Sequence, residues 1–338
     1  MFDRICAELS LGTLTAPPVC LSGGYTHRMF RLTTDRGDYA VKLLNPEIMQ
    51  RPDALDNYRA AEGFEALLEG VGLPILPAKN IAGRKMHRVD GQYLYVFDYF
   101  DGRPLRDEEI TQAHCAEMGT VLARIHQAGA ACPQADVGAS IACPPLQEAP
   151  DNALSGSALW DGLADALLSS DDAKAEGEAL RAAAPMLTRV SAAMEDAARR
   201  LPPVRALCHN DMDPKNVLWR DGDFRIIDLE CLGEADPLQE MLDLAVSWAG
   251  WALDEGKFKA FVSAYYAAGG LRPADAALLY DSRRNHIDWL AYNARRALFD
   301  DPAERRTGRE QVLETIGKIE SDQQNRAMIL RWMTELIA

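Results

Sequence analysis

The stretch from Cys208 to Leu229 restricts this chain more than any other. It places His209, Asp211 and Asn216 close together, runs through two short apolar segments, and ends on Ile226-Ile227-Asp228. Between the apolar segments stands Arg220-Asp221-Gly222-Asp223, a turn, so the segments read as a hairpin that returns the chain to the second Asp. A fold that carries this stretch must bring a loop with an Asp and an Asn against a hairpin that ends on an acid.

Such a set has a chemical use. One carboxylate can orient an attacking hydroxyl, while an amide and a second carboxylate offer hard oxygen ligands to Mg²⁺. Asp211 is therefore the candidate catalytic base, Asn216 one metal ligand and Asp228 the chief metal ligand. Singly, each is also a common turn or capping residue; the order and spacing together carry the expectation of phosphoryl transfer. His209 is assigned to packing and hydrogen bonding of the loop. A Cys208-His209 thiol protease is disfavoured, because such partners are normally distant in sequence.

With 338 residues the chain exceeds one ordinary core, so two lobes are expected. No apolar run approaches the ~20 residues that span a bilayer, and charges break up the N-terminal Met1-Phe2-Asp3-Arg4 before a signal core can form. A cytoplasmic location without membrane contact is the expectation. Cys6, Cys20, Cys115, Cys132, Cys143, Cys208 and Cys231 are scattered with no C-x-x-C pair, which reads as reduced thiols and no zinc site. The net charge of −15 argues against nucleic acid as a partner and is compatible with a cationic small molecule. Nothing in the sequence fixes an oligomeric state.

The expected fold class is α+β and bilobal. A small β-rich lobe is assigned to 1–98, and a larger, mostly helical lobe to 99–338. Phe30–Thr34 and Tyr39–Leu44 read as a hairpin about Asp35-Arg36-Gly37-Asp38. From Pro52 to about Val71, Tyr58, Ala61, Phe64, Leu67 and Leu68 recur at helical spacing before Gly72. Tyr93–Phe100 is the most strand-like run and stops at Asp101-Gly102-Arg103-Pro104. Beyond it, 111–127 reads as an amphipathic helix, 130–156 as a long loop, and 158–200 and 237–338 as helices.

The first lobe offers phosphate contacts. Ser22, Gly23 and Gly24 precede the hairpin, where glycines would let backbone N–H groups approach a phosphate, although Gly-Gly is also a plain turn. Lys42 lies in an apolar strand, where an ammonium is costly unless paired. Glu62 on the next helix is the expected partner, with Glu65 and Glu69 as alternatives.

Together these residues resemble the aminoglycoside phosphotransferase and choline kinase family, whose fold is that of protein kinases. The family's His-x-Asp-x-x-x-x-Asn stands here as His209, Asp211 and Asn216, and its metal-binding run as Ile227-Asp228-Leu229-Glu230. Leu21-Ser22-Gly23-Gly24, Tyr39-Ala40-Val41-Lys42, Gly72-Leu73-Pro74-Ile75, Val96–Gly102 and Leu122-Ala123-Arg124-Ile125-His126 are similar to further family segments in register, so the resemblance covers about 20–250. It implies that adenine bonds to the backbone of Asp98 and Phe100 with Phe97 behind it, and that Lys42 holds the α- and β-phosphates. It also implies Mg²⁺ on Asn216 and Asp228, with Asp211 accepting the proton of a hydroxyl. Asp213 stands where protein kinases usually carry Lys, Asp228-Leu229-Glu230 replaces Asp-Phe-Gly, and no Ala-Pro-Glu segment follows. These departures favour a small-molecule kinase over a protein kinase.

Acceptor choice is expected of the helices after Asp228. Glu230, Glu234 and further acids run to Glu255 with Trp248 and Trp251 interleaved, and Asp288 and Trp289 lie on a later helix. Carboxylates attract ammonium groups and indoles bind them through cation–π contact, although such tryptophans are usually core and such acids solvated. The expectation is an ATP- or GTP- and Mg²⁺-dependent kinase of a hydroxyl on an aminoglycoside-like amino sugar or an amino alcohol. The alternatives are a kinase of a non-cationic metabolite, a nucleotide-binding scaffold without catalysis, and a metal-dependent hydrolase using His209, Asp211 and Asp228.

Overall fold

A computed structural model describes residues 1–21, 27–130 and 156–337. After helix α1 (Phe2–Glu8) the chain builds an antiparallel sheet from β1 (Val19–Leu21), β2 (Arg28–Thr34), β3 (Gly37–Leu43), β4 (His87–Val89) and β5 (Gln92–Asp98), in the order β1-β2-β3-β5-β4. Helices α2 (Pro46–Met49) and α3 (Ala54–Gly70) lie between β3 and β4. The β2–β3 hairpin closes about Asp35-Arg36, with Thr34 opposite Gly37. Asp90 and Gly91, at φ +51° and +82°, make the two-residue turn from β4 to β5, the backbone that matches strand twist. One sheet face buries Leu32, Val41, Leu43, Leu94 and Val96 against Ile5 and Cys6 of α1. Tyr95 and Leu44 instead pack with Tyr58 of α3.

The rest of the chain is helical apart from short strands. In order come α4 (Gln112–Ala130), α5 (Ser157–Leu168), α6 (Lys174–Arg200), β6 (Ala206–Cys208), β7 (Val217–Arg220), β8 (Asp223–Ile226) and β9 (Gly233–Ala235). Helices α7 (Pro237–Trp248), α8 (Glu255–Ala267), α9 (Ala276–Asp281), α10 (Asn285–Arg296) and α11 (Pro302–Ile337) follow. This sheet-rich first part and helical second part meet the α+β, two-lobed expectation. The long loop expected over 130–156 lies outside the described residues, save its ends.

Two apolar cores organise the helical part. The first joins α3, α4, α7 and α8 to the short strands through residues such as Phe64, Met118, Leu122, Val217, Met241 and Phe261. Its tightest contact is α4 on α8, where a Cβ on Gly119 would overlap the carbonyl oxygen of Phe261. The second core holds Trp160, Leu163, Leu180, Leu187, Leu290 and Val312 of α5, α6, α10 and α11. Helix α11 serves both: Val312, Ile316 and Ile319 lie in the second core, and Ile329, Trp332 and Met333 in the first.

Backbone bonds tie the 208–228 segment to the first lobe and to the stretch that follows β5. Ile226 donates to Pro74 and accepts from Leu76, both at 2.8 Å, while Arg103 and Trp219 exchange backbone bonds at 3.1 and 2.9 Å. No helix among the described residues is long and apolar enough to cross a membrane.

Candidate active site

Strand β6 delivers the chain into a loop at His209 that ends in the short 3-10 turn Pro214–Asn216. Asn210 adopts φ +65°, a conformation that costs free energy and persists only where surroundings fix it. Here they do. Its backbone N–H donates to Glu240 Oε1 at 2.5 Å, and its side-chain amide donates to the carbonyl of Cys231 at 2.8 Å. Glu240 of α7 in turn meets His126 Nε2 of α4 at 2.8 Å, and His126 Nδ1 meets the Tyr265 hydroxyl of α8 at 2.9 Å. On the other side of Asp211, Met212 is buried and its carbonyl accepts from Trp248 Nε1 at 3.0 Å. His209 is fully buried, and its Nδ1 accepts from the Asp211 backbone at 3.3 Å.

Asp211 is thus presented from a loop anchored on both flanks. Asn216 Nδ2 donates to its Oδ2 and to its carbonyl, each at 2.8 Å, and Lys215 Nζ stands 3.0 Å from Oδ1. Burial pushes the Asp211 carboxyl up to about 6; Lys215 opposes the rise and Asp213 adds to it.

A second cluster forms where the lobes meet. Lys42 reaches from β3 to Asp228 and to both carboxylate oxygens of Glu230 at 2.6 Å. Asp228 itself stands at φ +67°, at the start of a 3-10 turn. Burial acts to raise its carboxyl, but the Lys42 charge and hydrogen bonds from Glu230 and Lys42 hold it below the usual range. Glu230 goes the other way, pushed up by burial and by the charge on Asp228. Tyr58 Oη contacts His27 Nε2 at 3.1 Å beside this cluster, and burial with the nearby Lys42 charge pushes His27 down to about 3.

The expected partner of Lys42 is corrected here. Glu62 accepts from the Tyr95 hydroxyl at 2.9 Å, and Glu65 binds Lys85 and the Ala78 N–H. Tyr95 is the strand neighbour of Lys42 across β3 and β5, so its hydroxyl meets α3 and takes the carboxylate that Lys42 was expected to hold. The lysine pairs across the lobes instead.

Both amide protons of Asn216 are spent on Asp211, which leaves its Oδ1 as an acceptor, and its backbone carbonyl accepts from the N–H of Ile227, the residue before Asp228, at 2.9 Å. An all-oxygen set of the Asn216 amide and the Asp228 carboxylate fits a hard divalent cation. The buried His126, Cys208 and Glu240 also converge, their donor atoms within 4.8 Å of one another. Burial pushes the Cys208 thiol well up, and the acid and imidazole are bonded to each other, so this trio is a hydrogen-bonded brace for the loop.

Among the nucleotide candidates, Ser22, Gly23 and Gly24 lie outside the described residues. Phe97 is half-buried on β5, its ring 6.3 Å from that of Tyr95. Asp98 is exposed and accepts from Lys79 at 2.5 Å. The Phe100 ring is covered by the guanidinium groups of Arg220 and Arg225, at 4.8 and 5.4 Å.

The acceptor candidates stand in different settings. Glu230 belongs to the Lys42 cluster, and Trp248 is fully buried beneath the loop. Trp251 is 82% exposed, because α7 ends at Trp248 and the chain turns through Gly250 at φ +80°. Glu234 is exposed on β9, Asp288 meets Arg284 at 3.2 Å, and Trp289 bonds to Gln311 and stacks on Tyr292. No hydrogen bond, ion pair or ring contact among the described residues joins them to one another, and the buried Trp248 offers no open indole face. Sequence reading missed His27, Tyr58 and the bracing role of His126 and Glu240. The only signal for the brace was that His126 ends the Leu122–His126 segment and Glu240 stands among the acids.

Residues 20–280 match the family model described as the phosphotransferase enzyme family. Over 112 residues the chain is 34% identical to a homoserine kinase from Methylobacillus flagellatus, a segment that is 32% of this chain and 32% of that relative. The match therefore spans about a third of the curated relative's length. The structure is similar to a spectinomycin phosphotransferase crystallised with ADP and spectinomycin, with TM-score 0.71, 13% identity and coverage of 96% of this chain and 98% of that one. It is also similar to a choline/ethanolamine kinase family protein from Mesorhizobium loti, with TM-score 0.61, 18% identity and coverage of 99% and 98%. At such identities these likenesses establish the fold, which is that of the protein kinases.

Proposed function

The chain belongs to the phosphotransferase enzyme family, and on that premise we propose that it moves the terminal phosphoryl group of ATP or GTP to a hydroxyl of a small, nitrogen-bearing acceptor. The observation that carries this reading is the setting of Asp211: a carboxylate pushed up to about 6, held through both oxygens, on a loop braced from α4, α7 and α8. A base with such a pKa is ionised at neutral pH yet strong enough to take a proton as the hydroxyl attacks. Asn216 and Lys215 fix its orientation, which lowers the entropic part of the barrier.

Lys42 brings a buried positive charge to the seam of the lobes, suited to the α- and β-phosphates. Asn216 and Asp228 would hold Mg²⁺, which neutralises phosphate charge when bound. Phe97 and the backbone of Asp98 and Phe100 would receive the base. The relatives' names point to acceptors that join a nitrogen centre to a hydroxyl: homoserine, spectinomycin, choline and ethanolamine.

The test is nucleoside diphosphate release from ATP or GTP with Mg²⁺ across amino sugars, amino alcohols and hydroxy amino acids. Acceptor-dependent release that disappears in Asp211→Ala, with nucleotide still bound, is the expected result. Nucleotide binding without transfer to any acceptor would favour the scaffold alternative, and metal-dependent turnover without nucleotide the hydrolase.

A further inference from the structure

A cavity of about 350 Å³ opens between α6, α7, α9, α10 and α11, at the seam of the two helical cores. Its charges are unevenly matched. Asp243 of α7 and Asp322 of α11 share one guanidinium, that of Arg283, with Asp243 on Nε and Asp322 3.6 Å from Nη2. His286 adds a hydrogen bond to Asp322 at 2.9 Å. Arg326 is spent on Asp281, which it grips at 2.8 and 2.7 Å. Arg189, on the α6 wall, is exposed and meets no carboxylate among the described residues.

One part of the wall therefore carries two acids on one arginine, and another carries an arginine without an acid. A cavity wall that offers an arginine at one part and acids at another is electrostatically complementary to a ligand that carries both signs. The acid part is tied to the proposed base through α7. Asp243 follows Glu240 by less than one helical turn, and Glu240 holds Asn210 next to Asp211. The volume lies at the small end of ligand pockets, which suits an amino acid better than a multi-ring amino sugar.

We propose that this cavity receives the acceptor and that the acceptor is a hydroxylated amino acid, its ammonium toward Asp243 and Asp322 and its carboxylate on Arg189. This rests on the phosphotransferase reading and narrows it from nitrogen-bearing acceptors to zwitterions.

The test compares L-homoserine with 3-aminopropan-1-ol, which lacks the carboxylate, and 4-hydroxybutanoate, which lacks the ammonium. The zwitterion is expected to exceed both in kcat/KM by about tenfold or more, as befits one lost charged contact. Arg189→Ala should raise KM for L-homoserine about tenfold without raising that for 3-aminopropan-1-ol, and Arg189→Lys should restore part of the loss. Equal use of 3-aminopropan-1-ol, equal effects of Arg189→Ala on both, or transfer only to choline or an amino sugar overturns the inference and leaves the phosphotransferase reading standing. Transfer that survives in Asp211→Ala sinks the underlying reading instead.

Discussion

Glu240 Oε1 lies 2.5 Å from the backbone nitrogen of Asn210, so a carboxylate buried in α7 fixes the strained residue that precedes Asp211. Its other oxygen is occupied by His126. Glu240→Ala would leave the half-buried N–H of Asn210 without its partner and the buried His126 without its partner at Nε2. The expected cost is ~3 kcal/mol in urea unfolding, with a large loss of turnover. Glu240→Gln keeps an oxygen for Asn210 and an amide for His126, so its loss should be about 1 kcal/mol. An alanine variant as stable and active as the parent would rule out the brace.

Asp211 sets a pH dependence for both rate and stability. Because burial pushes its carboxyl up to about 6, kcat/KM for the acceptor should fall as pH drops through that value. Lys215 opposes the rise, so Lys215→Gln should move the acid limb to higher pH. The folded pKa is above that of the unfolded chain, so this group contributes stability at low pH and loses it as pH rises through about 6. Asp211→Asn should therefore be inactive yet melt higher than the parent at pH 8, with the gain shrinking at pH 5. A gain that grows on acidification would contradict the assignment.

Lys42 neutralises two carboxylates that otherwise face each other at the lobe seam. Lys42→Met should weaken nucleotide binding and also destabilise the protein by ~1–3 kcal/mol, because it leaves a half-buried pair of acids uncompensated. Adding Glu230→Gln removes one of those acids and should recover part of the stability, a coupling that a double-mutant cycle in thermal unfolding measures. Strictly additive losses would show that the three groups do not interact.

The first two tryptophans after β9 should behave oppositely. Trp248→Phe loses the bond to Met212 beneath the loop and should cost ~1–2 kcal/mol along with turnover. Trp251, exposed in a turn, should tolerate Ala within about 0.5 kcal/mol and with an unchanged acceptor KM. A raised acceptor KM in Trp251→Ala would return that indole to the acceptor site.

Much of the fold was legible because its main elements obey strong local rules. The β2–β3 hairpin, the Tyr58–Leu68 stripe of α3 and the Asp221-Gly222 turn, at φ +51° and +84°, each follow from side-chain period or turn chemistry. Strands β4 and β9 span only three residues each, too short to carry a period. The segment 208–228 gave the loop and hairpin, since contiguous residues stay near one another whatever the tertiary packing. Pairings across the chain were not legible. Glu62, Glu65 and Glu69 share one helix at similar spacing, and nothing local says that Tyr95 takes the first, or that Glu230 reaches Lys42. Likewise, Arg283 is drawn to Asp243 and Asp322 by an arrangement of three helical elements that no local pattern records.

Helix α11 is gripped towards its start by one core and at its end by the other, and Asp322, Gln323 and Arg326 lie on the span between. That wall of the cavity behaves as a fixed ruler: displacing it would disturb both anchorages at once. Helix α6 carries no such double tether, since the residues that it gives to an apolar core, Leu180, Ala183, Ala184, Leu187 and Met194, all lie in the second. On the proposal that this cavity receives the acceptor, selection for a new one has one wall free to drift and one that it must keep, and lineages of this fold should diverge at Met186, Arg189 and Val190 before they diverge at Asp322.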